Sequence, residues 1–220
     1  MQRKLTFSEG EFYHIYNRGT DKRDIFLDNR DRERFVKLLF YANGTQPVVL
    51  KDIPQGRPLG SVDKGNSIVA LGAYCLMPNH FHLLVKEISE GGITKFMSKL
   101  STAYSMYFNK KNGRTGALFE GKFKATHANN DTYLKYLLSY IHLNPVKNVE
   151  AGWKENTILN RENAKQYLEK YIYSSYLDYI GEARPEKDIL DTEAFPEYFS
   201  SFGDFKNFID EWLSYPKGRP

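Results

Sequence analysis

Cysteine is almost absent. Cys75 stands alone in 220 residues, so no disulfide can form within the chain. A disulfide-stapled fold is excluded, and a reducing compartment fits. Long apolar runs are absent too. No stretch approaches the roughly 20 residues needed to span a bilayer. Nothing after Met1-Gln2-Arg3-Lys4-Leu5-Thr6 reads as an apolar signal segment. The expectation is a soluble, cytoplasmic protein with no membrane partner. Repeats and low-complexity tracts are also missing, which argues against solenoids and fibres. Acidic residues are scarce from Lys95 to Ala125, where Glu120 faces seven bases.

What is present suits a packed domain. Hydrophobic residues make up 41% and aromatics 15%, enough for a real core. The seven bases are Lys95, Lys99, Lys110, Lys111, Arg114, Lys122 and Lys124. From Gly181 to Pro220 nine acids outnumber five bases. A basic body with an acidic tail suggests a polyanionic partner. A solvated charged face is the commoner meaning, and charge alone favours it. Cys75 itself reads as a small buried hydrophobe.

Residues 12–17 read as a strand ended by Asn17-Arg18-Gly19. Asp28 or Asn29 caps a helix that runs to about Ala42, with Phe35, Leu38, Leu39 and Ala42 at helical spacing. Residues 44–66, rich in proline and glycine, read as a flexible insertion. Strands follow at 67–77 and 80–87, joined by a Pro78-Asn79 turn. A helix then carries Ile93, Phe96, Met97, Leu100, Tyr104 and Tyr107. A fourth strand is expected at 118–126. Another helix starts at Asn130 or Asp131 and stops at Pro145. One amphipathic helix is expected over 161–180 and a short last one near 205–213. The order predicts an α+β fold: a ferredoxin-like split βαβ antiparallel sheet with helices on one face, plus a C-terminal helical extension. The division expected is a catalytic domain at 1–150 and an acidic helical extension at 151–220.

One motif carries chemistry. In the run Tyr74-Cys75-Leu76-Met77-Pro78-Asn79-His80-Phe81-His82-Leu83-Leu84-Val85, strand alternation puts His80 and His82 on one face and Phe81 on the other. Two imidazoles on one side of a strand form half of a divalent-metal site. Tyr140 and Asn144 share a helical face and offer a hydroxyl and an amide oxygen. A cation would favour the Tyr140 phenolate and polarise a phosphodiester. Tyr136 is the rival nucleophile on nearly the same face. His14, His127 and His142 read as ordinary structural histidines.

Met77-Pro78-Asn79-His80-Phe81-His82-Leu83-Leu84, together with Ser139-Tyr140-Ile141-His142-Leu143-Asn144-Pro145-Val146-Lys147, resembles the REP-associated tyrosine transposases. These belong to the single-tyrosine His-hydrophobic-His transposases of small insertion sequences. Tyr13-His14-Ile15-Tyr16-Asn17-Arg18-Gly19, residues 116–124 and Tyr173-Ser174-Ser175-Tyr176 extend the resemblance over about residues 10–180. The resemblance implies a divalent metal, Mg²⁺ or Mn²⁺, and single-stranded, hairpin-bearing DNA as substrate. It implies a 5′-phosphotyrosine intermediate. Tyr140 would be the nucleophile, and His80 and His82 the ligands. Asn144, where many relatives carry glutamine, would be the third. The family includes both homodimers and monomers.

Asn17, Arg18, Arg114, Lys122 and Lys124 are candidate DNA contacts. Phe119 and Phe123 are candidate base-stacking rings. DNA binding would make the protein nucleoid-associated. Two rival readings stand beside the transposase. One is a domesticated DNA-binding protein that no longer cuts. The other is a metal-dependent hydrolase that uses water as nucleophile.

Overall fold

Four strand-forming runs pair into one antiparallel sheet. They are β1 (Phe12–Arg18), β2 (Val69–Met77), β3 (His80–Glu87) and β4 (Lys124–His127), in the spatial order β2-β3-β1-β4. Helix α1 (Asn29–Tyr41) links β1 to β2, and α2 (Gly92–Lys111) links β3 to β4. That is the ferredoxin-like split βαβ arrangement expected from sequence. The computed structural model describes residues 5–53, 57–153 and 158–214.

Both core helices cover one face of the sheet. Asp28 starts α1 by accepting the Asp31 amide at 3.0 Å, and the Asp31 carboxylate accepts the Leu27 amide in return at 2.9 Å. This places Phe35, Leu38 and Leu39 against the sheet. Phe35 packs edge-on or tilted against Phe26, Tyr104 and Phe81, with ring centroids no more than 5.2 Å apart. Phe81 points into this core, as its alternation with the two histidines requires.

The Asn43 side chain ties the end of α1 to the start of β2. Its amide donates to Val69 O, and its oxygen accepts from the Ile68 and Val69 amides. All of this is buried. Asn43→Ala is expected to cost about 1–3 kcal/mol, because backbone groups lose their partners out of reach of water. Urea unfolding measures it, and a change under about 0.5 kcal/mol would show that water replaces the amide.

A bulge at Gly72 decides what β2 shows to each face. Register shifts between Leu71 and Ala73. Val69 and Leu71 face the α1–α2 core; beyond the bulge, Tyr74 and Leu76 do so while Ala73, Cys75 and Met77 face the other way. A Cβ at Gly72 would meet the Phe195 ring at 2.7 Å, so the aromatic ring occupies the space a side chain would need.

Helix α3 (Asp131–Leu143) packs on the opposite face. Asn130 caps it, accepting the Tyr133 amide at 2.8 Å. Leu134, Leu137, Leu138 and Ile141 bury against Ala73, Cys75, Met77 and Leu84. The sheet thus has α1 and α2 on one side and α3 on the other. A 3₁₀ turn, Asn144–Asn148, continues directly from α3.

Two expected elements differ. Residues 161–180 are not one helix: α4 (Arg161–Lys170) and α5 (Tyr176–Tyr179) are separated by an extended stretch. In it Tyr173 O accepts the Leu76 amide, and the Ser175 amide donates to Tyr74 O. The stretch covers the outer edge of β2, a sheet edge that helical periodicity could not register. The fourth strand is shorter than expected. Gly121 adopts φ 73°, and only residues 124–127 pair with β1.

A last helix, α6 (Phe202–Ser214), joins α4 and α5 in a second core around Trp153, Tyr176, Phe205 and Ile209. Among the described residues of 44–66, Leu59 is buried, and Val48, Leu50, Ile53 and Val62 pack on the main core. No described helix is long and apolar enough to cross a membrane.

Candidate active site beneath α3

The face of the sheet under α3 is built by cross-strand register. Residues directly opposite in an antiparallel pair point the same way. Tyr16 faces His82, Arg18 faces His80, and Cys75 lies opposite His82 from the β2 side. On the outer side Lys124 pairs with Tyr16, and Thr126 with His14. One face therefore carries His14, Tyr16, His80, His82, Lys124 and Thr126.

The two motif histidines meet ring to ring, with centroids 5.0 Å apart and planes at 90°. Each is held through Nδ1. His80 Nδ1 lies 2.6 Å from Asn79 Oδ1. His82 Nδ1 lies 2.8 Å from His14 Nε2. His14 and His82 are both about 6% exposed, so this contact sits in a place where an imidazole is tightly oriented.

Helix α3 brings Tyr140 down onto this cluster. Its ring centroid is 5.6 Å from His82 and 5.6 Å from His14, edge-on to both. Burial pushes the Tyr140 phenol up from its ordinary value, opposed weakly by Lys147. Tyr136 is displaced from the histidines. It stacks between Tyr133, Tyr140 and Trp212 of α6. The two tyrosines that helical spacing could not separate are separated by the sheet.

Asn144 is buried and keeps helical backbone angles despite the following proline. Its amide nitrogen donates to Tyr140 O at 2.8 Å. That bond orients the side chain from within the same helical end. Among the described residues no group of three or more His, Cys, Asp or Glu is arranged to hold a metal ion. A cation here would rest on the His80–His82 pair and an uncharged oxygen.

The expected DNA contacts divide into two sorts. Lys122 and Lys124 are exposed, and Lys124 borders the site. Asn17 and the two arginines bond to other residues of the chain. Asn17 is buried; its amide donates to Gly121 O and its oxygen accepts the Arg18 amide, fixing the loop before β4. Arg18 pairs with Glu120, one acceptor lying at 3.1 Å. The Arg114 guanidinium donates to Asn109 at 2.7 Å. Phe119 is a core residue against Phe81 and Tyr104, not a platform for a base. Phe123 is half-buried beside Phe7.

His142 fits its structural reading. It lies among Tyr176, Tyr179 and Phe205 and bonds Ser175 Oγ at 2.7 Å. His127 pairs with Glu11 at 2.7 Å. His14 does not fit it: the structure places this ring in contact with His82 and Tyr140. The available signal was Tyr13-His14-Ile15-Tyr16, a strand whose even positions alternate onto one face. Which strand it neighbours follows only from the split βαβ order.

Comparison with known proteins gives matches of two kinds. One is to a solved structure of a REP-associated tyrosine transposase bound to a REP hairpin. It is 13% identical, with a TM-score of 0.48, over 91% of this chain and 99% of the other. No curated protein matches. The other is to the family model described as "Transposase IS200 like", over residues 63–144. The stretch that carries His80, His82 and Tyr140 is therefore the part of the chain that matches the IS200-like transposase model, and the family resemblance read from the motifs is borne out there.

Proposed function

We propose that this chain is a transposase-type strand transferase that cuts and rejoins single-stranded, hairpin-bearing DNA through Tyr140, assisted by Mg²⁺ or Mn²⁺. The observation that carries the reading is the approach of the Tyr140 ring, 5.6 Å from His82, within one chain. The matched transposase stretch supports it, and it includes all three residues. A hairpin is the form of DNA that the motif resemblance implies.

The donor set fits a hard divalent cation. Both histidines are anchored through Nδ1, the arrangement by which ligating imidazoles are oriented. His80 and His82 would hold the ion, with Asn144 Oδ1 as the third protein donor. Few protein ligands suit ions that keep waters and take phosphate oxygens. Once bound, the ion would supply positive charge that favours phenolate and polarises the phosphodiester.

The chain's own groups then account for the transfer. Tyr140 Oη loses its proton and attacks phosphorus. The P–Oη bond forms as the P–O3′ bond breaks, and the departing 3′ oxygen takes up a proton. The result is a 5′-phosphotyrosine and a free 3′-OH. Attack by a 3′-OH on the same phosphorus rejoins the strand and returns the phenol. His14 and His82 confine the Tyr140 ring. Lys122, in the loop before β4, and Lys124, at its start, are exposed and offer cations to the phosphate backbone.

The test is a denaturing gel of purified protein with hairpin DNA labelled at its 3′ end. The label is expected to move with the protein only when Mg²⁺ or Mn²⁺ is present. Cleavage without a covalent band would favour a hydrolase. Tight hairpin binding with neither cleavage nor band, at any metal concentration, would favour the non-cutting DNA-binding protein.

A further inference from the structure

We infer that His14 is a positioning residue that sets the tautomer of His82, so that His82 presents an unprotonated Nε2 toward the divalent cation. The inference rests on the metal reading above and extends it to a residue outside the ligand set.

The argument begins with the 2.8 Å contact between His14 Nε2 and His82 Nδ1. Two neutral imidazoles joined in this way share one proton, so one ring donates and the other accepts. The choice has a consequence. If His14 donated, His82 would carry its own proton on Nε2, and that nitrogen could not bind a cation. If His82 donates from Nδ1, its Nε2 carries a lone pair. Only the second arrangement serves a metal ligand, and it requires His14 to accept through Nε2 and keep its proton on Nδ1.

The surroundings hold His14 in place for this. It lies on β1, opposite Leu84 of β3 and Thr126 of β4. Its ring stacks at 22° to the His82 ring, with centroids 5.0 Å apart. Tyr16 and Tyr140 close the remaining sides at 5.0 and 5.6 Å. His80 has a different partner for the same atom: its Nδ1 meets Asn79 Oδ1, an oxygen that can only accept. Both motif histidines thus have an acceptor at Nδ1, one supplied by the adjacent turn and one by a neighbouring strand.

Two variants separate tautomer control from packing. His14→Phe keeps a buried aromatic ring and removes the acceptor. His14→Gln keeps an acceptor oxygen near the position of Nε2. Mn²⁺ binding to DNA-free protein is read by the loss of the free-ion EPR signal, with thermal melts run alongside to confirm folding. His14→Phe is expected to weaken Mn²⁺ binding about 10–100-fold, the usual effect of losing an oriented partner of a metal-bound histidine. His14→Gln is expected to recover most of it. The yield of covalent DNA adduct at subsaturating Mn²⁺ should follow the same order.

Equal Mn²⁺ affinity in wild type and a folded His14→Phe would overturn this inference and leave the metal reading standing. Failure of wild type itself to bind Mn²⁺ would overturn both. If His14→Phe does not fold, His14→Gln decides alone: affinity within about threefold of wild type supports acceptor control. A loss as large as that expected for His14→Phe overturns it.

Discussion

Tyr140→Phe is expected to abolish the covalent protein–DNA adduct and to lower strand cleavage by at least about 1,000-fold, about 4 kcal/mol of barrier. The substitution removes one oxygen and keeps the ring. Packing against His14, His82 and Tyr136 is retained, so unfolding stability should change by less than about 1 kcal/mol. The contrast lies one helical turn away. Tyr136→Phe should leave adduct formation near wild type, because that ring lies against Tyr133 and Trp212. Burial raises the Tyr140 phenol above its ordinary range, so phenolate is scarce without a neighbouring cation. Adduct formation should therefore collapse on chelation at neutral pH. Persistence of the adduct in Tyr140→Phe, with its loss in Tyr136→Phe, would reassign the nucleophile.

Acidification is expected to destabilise the fold through His142. Burial among aromatic rings holds this imidazole at about 3, against 6.5 for a free side chain, and Arg184 adds to the effect. The folded state therefore binds the proton less readily than the unfolded state. Its stabilising contribution is complete above about pH 6.5 and is lost as pH falls toward 3. One such proton changes stability by about 1.4 kcal/mol per pH unit, so about 2 kcal/mol should be gone by pH 5. The Leu138 backbone opposes the shift without overcoming burial. His142→Gln keeps a group able to donate to Ser175 Oγ and cannot titrate. Urea unfolding of both proteins at pH 7, 6 and 5 should give curves that converge as the pH falls. Parallel curves would mean that water reaches the ring in the folded state.

The C-terminal segment explains why His142 is so enclosed. Arg184 is held by Asp178, Tyr74 Oη and the carbonyls of Ile172 and Ser174. That cluster pins the stretch after α4 along the edge of β2. Phe195 covers Gly72, and Trp212 packs on Tyr136. Residues after 170 thus hold α3 against the sheet of its own chain. The tyrosine and the histidines of one chain thereby meet.

Local patterns in the sequence identified a good part of this. The alternation in His80-Phe81-His82 placed the two imidazoles together and Phe81 in the opposite core. Capping residues Asp28 and Asn130 marked two helix starts because their interactions are local. The long helix expected at 161–180 failed for a complementary reason. Residues 171–175 fit the amphipathic pattern, but the unpaired backbone of β2 competes for them and wins. Local pattern also could not register that Arg18 meets Glu120 and Arg114 meets Asn109, because those partners are set by the fold.

By itself, then, the sequence determined the order of strands and helices, the shared face of His80 and His82, and the resemblance that singled out Tyr140. Only the tertiary structure decided that Tyr140 reaches the histidines while Tyr136 does not. Only it showed that His14 holds His82, and that Asn17 and two arginines are engaged within the fold. The physical reason is range. Alternation and capping act within a few residues, whereas these contacts depend on strand register and helix packing between residues far apart in the chain.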